Sequence, residues 1–108
     1  HLFKLSAQQN TLSGMNNYGL MLMSKNYSEN DRIEALSMFK AAADQGHPNA
    51  MFNYASLIIK EIKKGFVIYD DDGSLISIEN VMEKYMKKSA ELGDIDAMNS
   101  LVQEQKRL

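Results

Sequence analysis

Shifted by 36 residues against itself, the sequence matches Phe3 with Phe39, Lys4 with Lys40, Ala7 with Ala43, Gln9 with Gln45, Met15 with Met51, Asn17 with Asn53 and Tyr18 with Tyr54. Small residues also fall on small residues, at Ser6/Ala42, Gly14/Ala50 and Gly19/Ala55. This self-similarity constrains the fold more than any single motif does. A unit of ~35 residues holds one pair of helices with its turns, and such a pair buries its apolar face only by stacking on a neighbour. A second shift, of 47, aligns Lys40 with Lys87, Ala43 with Ala90, Gly46 with Gly93, Ala50 with Ala97 and Met51 with Met98. The 11 extra residues fit between the two helices of the second unit, where Ile62 to Ser77 replaces the shorter Asn26 to Asn30.

Turn chemistry punctuates the repeat. Gly46 suits the left-handed position after a helix and Pro48 the first turn of the next one, and Gly93 followed by Asp94 repeats the signal with Asp94 as N-cap. Ser28 or Asn30, and Ser77, can cap the alternate helices. The expected helices are a fragment over Leu2 to Gln9, then Ser13 to Lys25, Asp31 to Gln45, Pro48 to Lys63, Ile78 to Leu92, and a last one from Ile95. In repeat terms, one all-α domain over 1–108 divides into a partial repeat 1–10, a repeat 11–46, a repeat 47–93 carrying the insertion, and a terminal helix 94–108. Ala35, Phe39 and Ala42 fall on one stripe, as do Met51, Tyr54 and Ile58, where small residues let helices approach closely. Met15, Met51 and Met98 hold equivalent positions and are expected to be buried, whereas Met23 lies on the other side of its helix.

The insertion, residues 62–77, is either an irregular loop or a small β-hairpin. Phe66-Val67-Ile68-Tyr69 and Leu75-Ile76 bracket the turn-prone pair Asp72-Gly73. Its extra length adds only about 1 kcal/mol of closure entropy.

Composition bears mainly on what to exclude. With 44% hydrophobic and 24% charged residues among 108, the chain is expected to fold. It has no Cys, which removes thiolate catalysis, zinc-thiolate sites and disulfides. A net charge of -2 offers no footprint for nucleic acid. Apolar runs such as Tyr18 to Met23 fall far short of the ~20 residues that span a bilayer, so no membrane insertion is expected. The start at His1, inside a helical pattern, reads as a cut through a longer protein. Leu2, Phe3 and Leu5 at that end are then expected to self-associate or to meet upstream repeats. The polar run Gln103 to Arg107 suits the finished end of an array. Lack of Cys and of a signal peptide in this stretch favours a cytoplasmic setting without fixing it.

No residue pattern points to chemistry. Asp70-Asp71-Asp72-Gly73 suggests a calcium loop, but the sixth and twelfth positions counted from Asp70 are Leu75 and Val81 rather than Gly and an acid, which leaves a solvated turn. His47 has no internal His, Cys or acid pair to converge with, and a turn or capping role fits it better than catalysis. No G-x-S-x-G or comparable nucleophile signature occurs. Asn26-Tyr27-Ser28 fits a glycosylation acceptor, a match that nine Asn residues make unsurprising. Neither a catalytic centre, a metal nor a cofactor is expected.

The stretch Ala35 to Ala55, A-L-S-M-F-K-A-A-A-D-Q-G-H-P-N-A-M-F-N-Y-A, closely resembles the Sel-one-like repeat, a relative of the tetratricopeptide repeat. Its A-A-x-x-G-x-x-x-A core recurs from Ser89 to Ala97, and more weakly from Ser6 to Asn10, where Asn10 stands in for the turn Gly. The resemblance implies a right-handed superhelix of antiparallel helix pairs whose first helices line a concave face. It also implies a scaffold or adaptor that binds a protein or peptide there. The alternative is a non-catalytic regulatory segment fused to an enzyme in a longer chain. The Cys-rich secreted branch of such proteins is disfavoured, since every Cys is missing. On this reading the concave face carries Asn16, Leu20 and Met23 from the first pair, Phe52, Ser56 and Ile59 from the second, and Asn99, Gln103 and Lys106 from the last helix. Phe52 has two readings, an anchor in the groove or part of the core between repeats.

Overall fold

Caps and left-handed glycines divide the chain into helices much as the sequence anticipates. A computed structural model describes residues 2–24 and 26–107, with side chains for 11–24 and 26–103. Among the described residues the chain is all-α, with five helices. These are α1 (Leu2–Leu22), α2 (Glu29–Asp44), α3 (Pro48–Lys63), α4, and α5 (Ile95–Arg107). α4 is built from the consecutive segments Ile78–Val81, Met82–Met86 and Lys87–Glu91, the middle one a π-turn in which the Lys87 N–H reaches back to Met82. Each helix packs on the next in the chain, α1 on α2, α2 on α3, α3 on α4 and α4 on α5. Three of the four links are short and make the helices they join run antiparallel.

The helix ends explain the boundaries. Ser28 and Asp31 form a reciprocal capping box at the start of α2, the Asp31 N–H donating to Ser28 Oγ at 3.1 Å and the Ser28 N–H to Asp31 Oδ2 at 3.0 Å. Ser77 caps α4 through the Asn80 N–H, and Asp94 caps α5 through the Ala97 N–H. α2 ends in a Schellman motif, with Gly46 at φ 96°, its N–H on the Ala43 carbonyl, and the His47 N–H on that of Ala42. The same pair of bonds recurs at Gly93, to Ala90 and Ser89, and at Gly65, to Ile62 and Glu61. His47 therefore serves the turn through its backbone and makes no side-chain cap bond.

Two expectations need correction. α1 runs unbroken through Asn10, where a turn was expected between the partial first repeat and the next. Asn10 is followed by neither of the signals that end α2: no left-handed Gly terminates the helix and no Pro begins another, so continued helical hydrogen bonding prevails. Met98, expected to be buried like its equivalent Met51, is 42% exposed, and Ile95 and Val102 on α5 are exposed with it, because among the described residues no further helix covers that face. The side chains of the polar run beyond Gln103 lie outside those described. Leu2, Phe3 and Leu5, at the other end, lie outside the residues whose side chains are described.

The core is one cluster running through all five helices. It includes Leu12, Ala35, Phe39, Ala42, Met51, Tyr54, Ile58, Val81, Tyr85, Met86 and Ala97. Close approach of α1 to α2 depends on Gly19, where an added Cβ would lie 2.5 Å from the Phe39 ring. Across α2 and α4, the Tyr85 hydroxyl donates to Asp44 at 2.8 Å, and the Tyr85 ring meets Tyr54 edge-on with centroids 4.9 Å apart.

The insertion divides its extra length in two. The 36-residue shift carries Leu22 to Ile58, yet α3 continues to Lys63, more than a full turn further. The remainder folds as a minimal hairpin, with a single bridge between Tyr69 and Leu75 and backbone bonds from Ile76 to Ile68 and from Asp70 to Ser74. Its root is held by Glu61, whose carbonyl accepts the Phe66 N–H, and by Arg32, whose guanidinium lies 4.8 Å from the Phe66 ring centroid. Glu61 is 1% exposed and pairs with Arg32 across 3.8 Å. Its tip is tied to α2 by Lys40, which bonds Asp71 at 3.0 Å and Asp44 at 3.1 Å.

Candidate functional site

The nine residues expected on the concave face do not form a single surface. Asn16 is only 3% exposed. Its amide donates to Asn49 Oδ1 at 2.7 Å and accepts from Asn53 Nδ2 at 2.9 Å, which fastens α1 to α3. Asn53 also donates to Asn49, and Asn49 donates to Asp94 at the start of α5. This amide chain joins the first helices of the successive pairs, so Asn16 is a helix–helix contact and not open groove surface. The 36-residue shift places Asn16 opposite Phe52, an unlike residue, and gives no hint of the contact.

Phe52, Ile59 and Met23 are partly buried and pack on the core. Met23 sits in the turn just beyond α1, whose helix ends at Leu22. Leu20 and Asn99 are exposed, and the side chain of Lys106 lies outside those described.

Ser56, Ile59 and Gln103 come together. They line a groove between α3 and α5 of about 460 Å³, with Lys60, Lys63 and Lys64 along one side and Met82, Met86 and Ser100 completing it. Both Met residues belong to the π-turn of α4, and their flexible thioethers provide an adaptable apolar lining. Sequence reasoning missed these two because it considered only the first helix of each pair. It also passed over the lysines, although three within five residues was a visible signal.

Lys60 and Lys64 are organised by Tyr27, from the link between α1 and α2. The Lys64 ammonium donates to the Tyr27 hydroxyl at 3.2 Å, and the two ammonium groups lie 5.8 Å (Lys64) and 5.5 Å (Lys60) from the ring centroid. Lys64, and then Lys60, hold the Tyr27 phenol below its ordinary pKa by favouring the phenolate.

A larger cleft, of about 730 Å³, lies between α2 and the hairpin, with Ile33, Leu36, Val67 and Tyr69 among its walls. Its charged groups are largely engaged with one another. Lys40 is held well above its ordinary pKa, chiefly by the hydrogen bond it donates to Asp71. Tyr85 is raised by burial and then by Asp44. Asp70, Asp71 and Asp72 form the hairpin tip, and among the described residues no group of three or more His, Cys, Asp or Glu side chains is arranged to hold a metal ion. No described helix is long and apolar enough to cross a membrane.

Compared with protein-family models, with curated proteins and with solved structures, the chain matches none of them.

Proposed function

We propose that the chain is a protein-interaction unit of the Sel-one-like kind, binding a peptide or protein segment in the groove between α3 and α5. The observation that carries this reading is the convergence of Ser56, Ile59 and Gln103, from two separate first helices, on one groove with a methionine lining. Apolar anchors beside amide and hydroxyl groups suit an extended peptide, whose side chains need a pocket and whose backbone needs hydrogen-bonding partners. The amide chain from Asn16 through Asn49 to Asp94 supports a stacked, solenoid-like order, since it links first helices to one another while each second helix packs between them. Such rigid stacking would hold the groove open for a partner without a large ordering cost.

The reading is tested by pulling down partners with the intact protein and comparing the wild type with the double variant Ser56→Arg/Gln103→Arg. Binding is expected to fall at least roughly tenfold, with circular dichroism and thermal midpoint close to wild type. Undiminished capture by a folded double variant would exclude the groove as the binding face.

A further inference from the structure

The described lining of the groove carries lysines and no carboxylate. The end of α3 holds roughly half a negative charge from its helix dipole, whereas Lys60 and Lys64 bring two ammonium groups to the same turn. Glu61, the carboxylate within that turn, cannot offset them, because it is buried and paired with Arg32. Lys60 and Lys64 have Tyr27 as their described partner, a neutral phenol that positions both ammonium groups and neutralises neither. The lowered pKa of that phenol agrees with a local positive potential in a chain of net charge -2. Lys60, Lys63 and Lys64 lie beyond the point where α3 would end if it followed the length of α1.

We propose that the groove takes an acidic peptide. Its carboxylates pair with Lys60 and Lys64, and an apolar side chain between them enters against Met82, Met86 and Ile59. This rests on the groove being the binding face and adds the charge of its occupant. A concave lining of thioethers at the foot of a lysine edge fits a side chain flanked by acids better than a flat anionic surface, which could reach the lysines but not the floor.

The experiment selects binders to the intact protein from a displayed library of random 16-residue peptides and measures the enriched sequences by fluorescence anisotropy. Peptides carrying Asp or Glu around an apolar residue are expected, with affinity falling roughly tenfold or more for Lys60→Glu/Lys64→Glu and weakening as salt rises. The milder Lys60→Gln/Lys64→Gln variant should show a smaller loss in the same direction. Lys88→Glu, which changes the net charge outside the groove, should bind as wild type. The acidic-partner proposal is overturned if the enriched peptides are neutral or basic and lose binding with Ile59→Arg, or if the lysine variants stay within twofold of wild type. It is equally overturned if phosphatidylserine vesicles bind the groove and displace the peptides, since the occupant would then be a membrane surface. If no peptide is enriched, or binding ignores Ile59→Arg, the groove reading itself fails and this proposal falls with it.

Discussion

Gly14 and Gly19 stand five residues apart on α1 and should respond in opposite directions to the same added methyl group. A Cβ at Gly14 meets nothing within 4 Å, so Gly14→Ala should stabilise by about 0.5–1 kcal/mol through the lower backbone entropy of the unfolded chain. At Gly19 the same atom would lie 2.5 Å from the buried ring of Phe39, and Gly19→Ala should destabilise by about 1–3 kcal/mol despite the better helix propensity. Urea unfolding of both variants checks the pair, and equal shifts would mean that α1 and α2 do not approach as described. The repeat showed that both positions are small, pairing them with Ala50 and Ala55, and both of those alanines are fully buried. It could not show which glycine touches a neighbour, because that depends on the rotation of α1 against α2 and on which flank of the helix is covered. Asn16 escaped for a related reason. A polar residue on a first helix resembles groove surface in sequence, and only the reach of Asn49 and Asn53 from α3 turns it into a buried contact.

Helix ends were more legible than helix faces. Gly46, Gly93, Ser28, Ser77 and Asp94 act locally, through hydrogen bonds within a few residues, and the structure uses each as a terminus or cap. The continuity of α1 was legible in the missing Gly and Pro after Asn10, a signal the repeat alignment overrode, whereas no local signal marks the π-turn of α4. The insertion was located by arithmetic, but its division between a longer α3 and a hairpin depends on a distant residue, Arg32 of α2. That residue supplies the next prediction. Arg32→Ala would strand the buried Glu61 carboxylate, whose Oε1 has no hydrogen-bond partner even in the wild type, and should cost about 3 kcal/mol or more. Glu61→Gln leaves no buried charge behind and should cost clearly less. Chemical denaturation ranks the two, and the reverse order would remove the ion pair from its proposed role at the hairpin root.

For the molecule as a whole, the titration of its cross-helix contacts sets an alkaline limit. Lys40 is raised above its ordinary 10.5 and Tyr85 above its ordinary 10.0, so the folded state holds both protons more tightly than the unfolded chain does. Their contribution is complete below about pH 10 and is lost as pH rises through the folded-state values. Unfolding free energy should therefore decline steadily as pH rises above about 10. In Tyr85→Phe, which lacks the phenol, the decline should be shallower, and an unchanged slope would assign it to other groups. The all-α class was legible at this scale because the period demanded paired helices, while the lysines were visible but their place on a groove was not, since it arises where an extended α3 meets the link carrying Tyr27. That extension has an evolutionary consequence. The stretch that breaks the strict period supplies both the cationic edge and the hairpin, whereas the asparagine chain and the glycine turns at Gly46 and Gly93 lie outside it. If the groove is the binding face, mutation could retune what it recognises within that one short length of chain, and selection on a partner need not disturb selection on the fold.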